Sequence, residues 1–295
     1  MTASSENEKN KIIGGTLYLV ATPIGNLSDL SARAIKTLSE VDFVAAEDTR
    51  NTAKLFSATG ISNQIVSYHE HNKRESGERI VERLHRGQSC ALVTDAGMPA
   101  ISDPGADLVS LCASEGINVS AVPGCCAAIT ALALSGLDTR RFVFEGFLEG
   151  SKSARRERLR ELSDEKRTVI MYEAPHRLID TLNEMSEFFG DRQIALCREL
   201  TKLNEEIMRT SILAAIDYYG KNTPRGEYVL VIGGAMVTSD ELFWTDMTIP
   251  EHIKYYTDTG MDKMSAIKRV AKDRGVGKSV IYAEAVRLAD EEADN

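Results

Sequence analysis

Thr16-Leu17-Tyr18-Leu19-Val20-Ala21-Thr22-Pro23-Ile24-Gly25-Asn26-Leu27 is a short, nearly continuous apolar run that stops abruptly at turn residues. Such a run reads as a strand buried on both faces, and the Pro, Gly and Asn that follow read as a tight loop at its carboxyl end. Outward from it the same alternation repeats. Apolar runs at 43–46, 64–67, 90–94 and 118–122 are expected strands, and the stretches 31–38, 52–58, 78–84 and 107–114 between them carry helical periodicity. After Pro123-Gly124 a helix at 127–134 restarts the pattern, with strands at 142–145, 168–172, 193–197 and 228–232. Alternation of this kind predicts the α/β class, a parallel sheet with crossover helices.

The chain has 295 residues, about twice the usual ~150 per domain, and 43% of them are hydrophobic, enough for more than one buried core. The expected organisation is a polar tail (1–14), an α/β domain (15–124), a second α/β domain (125–236), and a linker with a small helix-turn-helix-like appendage (237–295). The start is polar and lacks the apolar core of a signal peptide, so export is not expected. The longest uncharged stretch, 116–137, contains Asn118, Ser120, Pro123-Gly124 and Ser135, and reads as strand, turn and buried helix instead of a membrane span. Five cysteines, odd in number and without a C-x-x-C pair, fit small core residues in a reducing cytoplasm. Gly275-Val276-Gly277-Lys278-Ser279 looks like the end of a P-loop, but Lys272 stands where the first Gly is needed, and no Gly-x-Gly-x-x-Gly follows the first strand.

Ligands of open α/β sheets bind beyond the carboxyl ends of the strands. Those ends here carry Thr22 to Leu27, then Ala46-Glu47-Asp48-Thr49-Arg50, then Tyr68-His69-Glu70-His71-Asn72, and then a loop from Thr94 to Gly105 with two Gly and two Pro. Taken singly each has an ordinary reading, as a turn, a helix cap or a surface ion pair; their joint occurrence at successive strand ends points to a small polar ligand. His69-x-His71 lacks a nearby Cys or third His, so no metal is expected. Tyr172-Glu173-Ala174-Pro175-His176-Arg177 and Arg225-Gly226-Glu227 add a second polar group.

Together these runs, with Asp95-Ala96-Gly97-Met98-Pro99, Asp103-Pro104-Gly105 and Pro123-Gly124, closely resemble the bacterial ribosomal RNA small-subunit methyltransferase I family, over about residues 15–234. That family is one of the tetrapyrrole-methylase-like (class III) methyltransferases. The resemblance implies two α/β domains with S-adenosylmethionine (SAM) in the cleft between them, a homodimer, and methyl transfer to the ribose 2′-oxygen of a cytidine in the decoding region of 16S rRNA on the small ribosomal subunit. By motif, Pro23, Gly25, Asp95, Ala96, Gly97, Asp103, Tyr172, Arg225, Gly226 and Glu227 would surround SAM. Met98 and Cys125 depart from the family pattern, where Thr and a Pro or Ala are usual.

A weakly acidic ribose hydroxyl needs a base, and Glu47, Asp48, His69 and His176 are the candidates, with Asp48 or Glu47 favoured because they share a strand end with Arg50. Arg50 and Arg177 could clamp flanking phosphates. With 44 acidic and 35 basic residues the net charge is −9, so RNA must meet a local basic patch. Residues 152–167 hold seven basic and four acidic side chains, making Lys152, Arg155, Arg156 and Arg158 the expected phosphate contacts, together with the cluster Lys263, Lys268, Arg269, Lys272, Arg274 and Lys278. Within the same fold the alternative is a small-molecule methyltransferase acting on a tetrapyrrole or a diphthine precursor. Outside enzymes, it is a non-catalytic ribosome-assembly factor that binds RNA.

Overall fold

The structure, a computed structural model, describes residues 10–148, 150–235, 244 and 246–293. The expected N-terminal tail up to residue 9, the last residue of the expected second domain (236) and residues 237–243 and 245 of the expected linker lie outside the described residues. Those described fall into two compact units, one ending at Ala235 and the other following it.

The first unit holds two five-stranded sheets. In the first, β1 (Thr16–Val20), β2 (Phe43–Ala46), β3 (Ile65–Ser67), β4 (Cys90–Val93) and β5 (Asn118–Val122) run parallel in the order β3-β2-β4-β1-β5. Crossovers are made by α1 (Ala32–Glu40), α2 (Thr49–Thr59), α3 (Lys73–His85) and α4 (Ala106–Ser114). The central strand β4, between β2 and β1, has no solvent-facing side, which is why it reads Cys-Ala-Leu-Val without alternation. One face packs Val20, Leu38, Val44 and Phe56, the other Leu17, Phe43, Tyr68 and Leu92. This order brings the carboxyl ends of β1, β4 and β2 side by side, so their three loops open into one crevice.

Between Val122 and Ala127 the chain leaves this sheet, and α5 (Ala127–Ser135) packs Ala128, Ala131 and Leu132 against the second. That sheet consists of β6 (Phe142–Phe147), β7 (Thr168–Glu173), β8 (Gln193–Arg198), β9 (Glu206–Ser211) and β10 (Tyr228–Ile232), in the order β6-β7-β10-β8-β9. The expectation of parallel strands throughout fails here: only β6 and β7 are parallel, while β10 runs antiparallel to both neighbours and β8 to β9. The cause is the hairpin-like β8–β9 turn. β9 (Glu-Ile-Met-Arg-Thr-Ser) is a half-exposed edge strand, too polar to stand out as an apolar run. Helices α6 (Lys152–Glu161), α7 (Leu178–Phe189) and α8 (Ile212–Tyr219) cover this sheet. Among the described residues no helix is long and apolar enough to cross a membrane.

In the second unit α9 (Ile249–Asp258), α10 (Lys263–Asp273) and α11 (Lys278–Ala293) enclose a small core of Ile253, Tyr256, Ile267, Val270 and Ile281. Thr248 caps α9 reciprocally with Glu251, and Pro250 sits in its first turn, where a missing N–H costs nothing. Arg274, expected on an RNA face, instead points inward: it donates to His252 Nδ1 (3.2 Å) and to the carbonyls of Trp244 and Met247. Trp244 stacks on the buried His252 ring at 5.4 Å.

Candidate active site

The loops after β1 and β4 are locked together. Thr22 N donates to Gly97 O (2.9 Å), Gly97 N donates back to Thr22 O (3.1 Å), and the Thr22 hydroxyl donates to Thr94 O (3.0 Å). Gly97 sits at φ 87°, a conformation that a side chain would strain. Four non-glycine residues also have left-handed backbones, Ala100 and Ser102 in the β4 loop and Glu199 and Thr201 in the β8–β9 turn, and both loops border one crevice. Backbone strain held by a surrounding scaffold tends to collect at ligand sites.

That crevice is a cavity of about 360 Å³ between the two sheets, large enough for a small cofactor. The first sheet contributes Glu47, Asp95, Ala96, Gly97, Met98 and Asp103 to its wall; the second contributes Phe147, Tyr172, Glu199, Lys202, Glu227 and Val229. Of the expected cofactor residues, Asp95, Ala96, Gly97, Asp103, Tyr172 and Glu227 therefore share one wall, joined by the expected catalytic residue Glu47. Pro23 and Gly25 line a second cavity, which shares Asp95 with the first. Gly226 and Arg225 do not line the crevice. Gly226 lies behind Glu199, and a Cβ on it would stand 2.6 Å from Glu199 Cγ, so only glycine lets that turn close.

Several wall residues escaped the sequence reading. Glu199 and Lys202 pair at 3.0 Å, and Lys202 packs over Gly25, whose Cβ would fall 2.4 Å from Lys202 Cγ. Their signal was hidden because it depends on the β8–β9 turn. Phe147 follows a bulge in β6 between Phe144 and Gly146, and both phenylalanines meet the Tyr172 ring edge-on at 5.2–5.4 Å.

Electrostatically the crevice is acidic. Burial raises the Glu47 carboxyl above its ordinary range; the Asp95 amide opposes this, while the Asp95 and Asp48 charges add to it. Burial, with Glu47 and Asp95 nearby, pushes Asp103 up to about 7. Burial also lifts Tyr172 to about 12. Asp48 behaves oppositely. Its carboxylate caps α2 and takes two bonds from the Arg50 guanidinium (3.1 and 2.6 Å), which hold it far below the usual range.

The remaining expected catalytic groups lie elsewhere. His69 packs edge-on to His71 at 5.9 Å beside β3, and His176 is exposed at the start of α7; neither lines the crevice. Arg177 is tied to Glu173, which is buried and accepts from Arg177 Nε (2.9 Å), the Thr181 hydroxyl (2.6 Å) and Ala174 N (2.8 Å). Removing one donor from so enclosed a carboxylate is costly, so Thr181→Val is expected to lower unfolding stability by about 1–2 kcal/mol, measured by urea denaturation. Among the described residues no group of three or more His, Cys, Asp or Glu is arranged to hold a metal ion.

The basic segment is largely paired. Arg155 joins Glu184 (2.8 Å) with side chains only 12% and 5% exposed, so the expectation that it contacts RNA is corrected: it is an internal brace between α6 and α7. Arg156 pairs with Glu187, and Arg158 grips Glu145 through two 2.8 Å bonds while also meeting Glu161. These two stay partly exposed, and Lys152 is exposed at the first turn of α6.

Residues 16–215 match the family of Tetrapyrrole (Corrin/Porphyrin) Methylases. Among solved structures the chain is similar to a cobalt precorrin-4 methyltransferase (TM-score 0.55, 19% identity, 74% of this chain and 95% of that one). It is also similar to a diphthine synthase (TM-score 0.57, 13% identity, 78% and 94%); at such identities these likenesses show the fold alone. Much nearer in sequence are proteins named ribosomal RNA small subunit methyltransferase I. That of Halalkalibacterium halodurans is 49% identical over 91% of this chain and 93% of its own length. Those of Bacillus subtilis (47%, 91% and 93%) and Synechocystis (43%, 93% and 98%) follow. With near-complete coverage at that identity, the chain belongs to the ribosomal RNA small subunit methyltransferase I family, SAM-dependent methyltransferases built on the tetrapyrrole methylase fold.

Proposed function

We propose that this chain methylates the ribose 2′-oxygen of a cytidine in the decoding region of 16S rRNA in the small ribosomal subunit, acting in the cytoplasm as a homodimer. The observation that carries the reading is the placement of Glu47: a carboxyl with raised proton affinity on the wall of the crevice, shared with Asp95. The residues present fit SAM. The crevice offers an aromatic and aliphatic wall (Phe147, Tyr172, Met98), a left-handed glycine turn at Gly97, and carboxylates suited to a ligand bearing sulfonium and ammonium charges. When bound, SAM supplies an electrophilic methyl with a good leaving group, so alignment can account for much of the rate.

Glu47 accepts the 2′-hydroxyl proton as the oxygen attacks, its affinity lying nearer neutrality than that of the Arg50-bound Asp48. Asp95, Asp103 and Glu227 hold the cationic ligand, and the Phe147–Tyr172 wall excludes water. Arg50, 85% exposed, and Arg156 and Arg158 on the outward flank of α6 exchange carboxylate partners for phosphates, and the exposed Lys152 joins them. Dimerisation has a ready surface in edge strand β5, where residues 118–121 are exposed.

A pH dependence follows from Asp103. Its affinity in the folded protein exceeds the unfolded value, so the free protein loses stability from this group as pH rises from about 4 through about 7. A cationic ligand favours the ionised form, so SAM affinity is expected to rise by up to about tenfold per pH unit below neutrality and level off above it. Titration calorimetry between about pH 5.5 and 8 checks this, and Asp103→Asn should flatten the profile. For the function itself, small subunits from a strain lacking the activity are incubated with methyl-labelled SAM. Label in 16S rRNA is expected; label in no RNA would contradict the assignment.

A further inference from the structure

Beside the crevice lies the second cavity, of about 250 Å³, framed by the β1 loop, the first turns of α2 and the end of β4. Its apolar wall is Pro23, Leu27 and Leu55, and Leu27 is exposed although large and aliphatic. Its polar side includes Asn51 and Asp95, and the exposed Lys54, just outside the lining, extends them into an ordered row. Lys54 Nζ donates to Asn51 Oδ1 (3.3 Å), and Asn51 Nδ2 donates to Asp95 Oδ2 (2.9 Å). Lys54 thereby fixes which way the Asn51 amide faces, with its NH₂ toward Asp95. Asp95 belongs to both cavities, and Glu47 lines the first beside it.

We propose that this second cavity receives the base of the acceptor nucleotide, and that Asp95, Asn51 and Lys54 read it as cytosine. The inference rests on the proposed function and adds the site that selects the nucleotide. The Watson–Crick edge of cytosine presents a donor (the N4 amino group) followed by two acceptors (N3 and O2). The lining presents the complement of the first two, a carboxylate acceptor at Asp95 and a spare amide hydrogen on Asn51, and the Lys54 ammonium held on Asn51 Oδ1 stands next in the row, at the cavity's rim. Uracil would set its O4 acceptor against the Asp95 carboxylate and its N3 hydrogen against the Asn51 amide, two repulsive contacts. Pro23, Leu27 and Leu55 supply apolar surface for the face of the base. Because Asp95 separates the cavities, a base seated here brings its own ribose to the boundary where Glu47 stands.

The test compares wild type, Asn51→Ala, Lys54→Ala and Leu27→Trp on small subunits carrying cytidine or, by mutation, uridine at the target position. Asn51 and Leu27 are exposed, so these changes leave the core intact. The Asn51 and Lys54 variants are expected to lose roughly 10- to 100-fold in kcat/KM on cytidine subunits and most of the preference over uridine. Leu27→Trp, which blocks the apolar wall, should lose activity on both. SAM affinity should stay within about twofold of wild type in all three, since none lines the first cavity. An unchanged cytidine preference in Asn51→Ala, or a parallel loss of SAM affinity, would overturn the subsite. Independently of turnover, cytidine monophosphate should shift the Asn51 side-chain amide resonances of the full-length protein more than uridine monophosphate does. No shift with either overturns the subsite even if RNA methylation stands, whereas a wild type that binds cytidine monophosphate but methylates no RNA would fail the proposed function instead.

Discussion

Glu47→Gln is expected to lower single-turnover methyl transfer by about 10²- to 10⁴-fold, the usual weight of a general base. The substitution keeps the size of the side chain and its place beside the Asp95 backbone, and removes only the ability to take a proton. SAM affinity should change little, because Asp95, Asp103 and Glu227 remain on the same wall. The companion Asp48→Asn should change transfer far less. The Asp48 carboxylate is occupied by Arg50 and the start of α2, and its low proton affinity makes it a poor base at neutral pH. The pH profile supplies the sign: wild-type rate rises with pH as Glu47 loses its proton, over a range displaced above that of an ordinary carboxyl, and this rise should vanish in Glu47→Gln. Unchanged transfer in both variants would remove the strand-end carboxylates from the mechanism.

Arg155→Ala is expected to cost about 3 kcal/mol or more of unfolding stability, because it strands a nearly buried carboxylate. Glu184 has 5% of its side chain exposed and depends on the Arg155 guanidinium at 2.8 Å. Thermal and urea unfolding of the purified variant check this, and Arg155→Ala combined with Glu184→Leu should recover most of the loss, since the stranded charge is then gone. Equal stability of Arg155→Ala and wild type would show that the pair is not the brace described. By contrast, charge reversal at the partly exposed Arg156 and Arg158 should weaken subunit binding and reduce its salt dependence.

The contrast between Arg155 and its neighbours shows where sequence stops being informative. Residues 152–167 look uniformly basic, and nothing local distinguishes an arginine facing solvent from one facing Glu184, which is 29 positions away. The first sheet was legible because each of its central strands is buried on both faces and writes an uninterrupted apolar run. The second sheet hid its antiparallel half, since β9 is an edge strand of mixed polarity, and with it went Glu199 and Lys202 on the turn that precedes it. At the site, the Gly- and Pro-rich strand ends announced Asp95, Gly97 and Asp103, because tight backbone turns need particular residues. They did not announce how Glu47 and Asp48, adjacent in the chain, divide: one turns into the crevice and the other is claimed by Arg50. His176 illustrates the reverse error, a conspicuous residue whose neighbours Glu173 and Arg177 are engaged in fastening α7.

The most direct measurement is the chemical identity of the methylated nucleoside. Small subunits lacking the modification are treated with the purified protein and SAM, the 16S rRNA is digested to nucleosides, and the product is analysed by mass spectrometry. The account expects 2′-O-methylcytidine, with the added mass on the ribose. A methyl group on a base, or on the ribose of a different nucleoside, would contradict it.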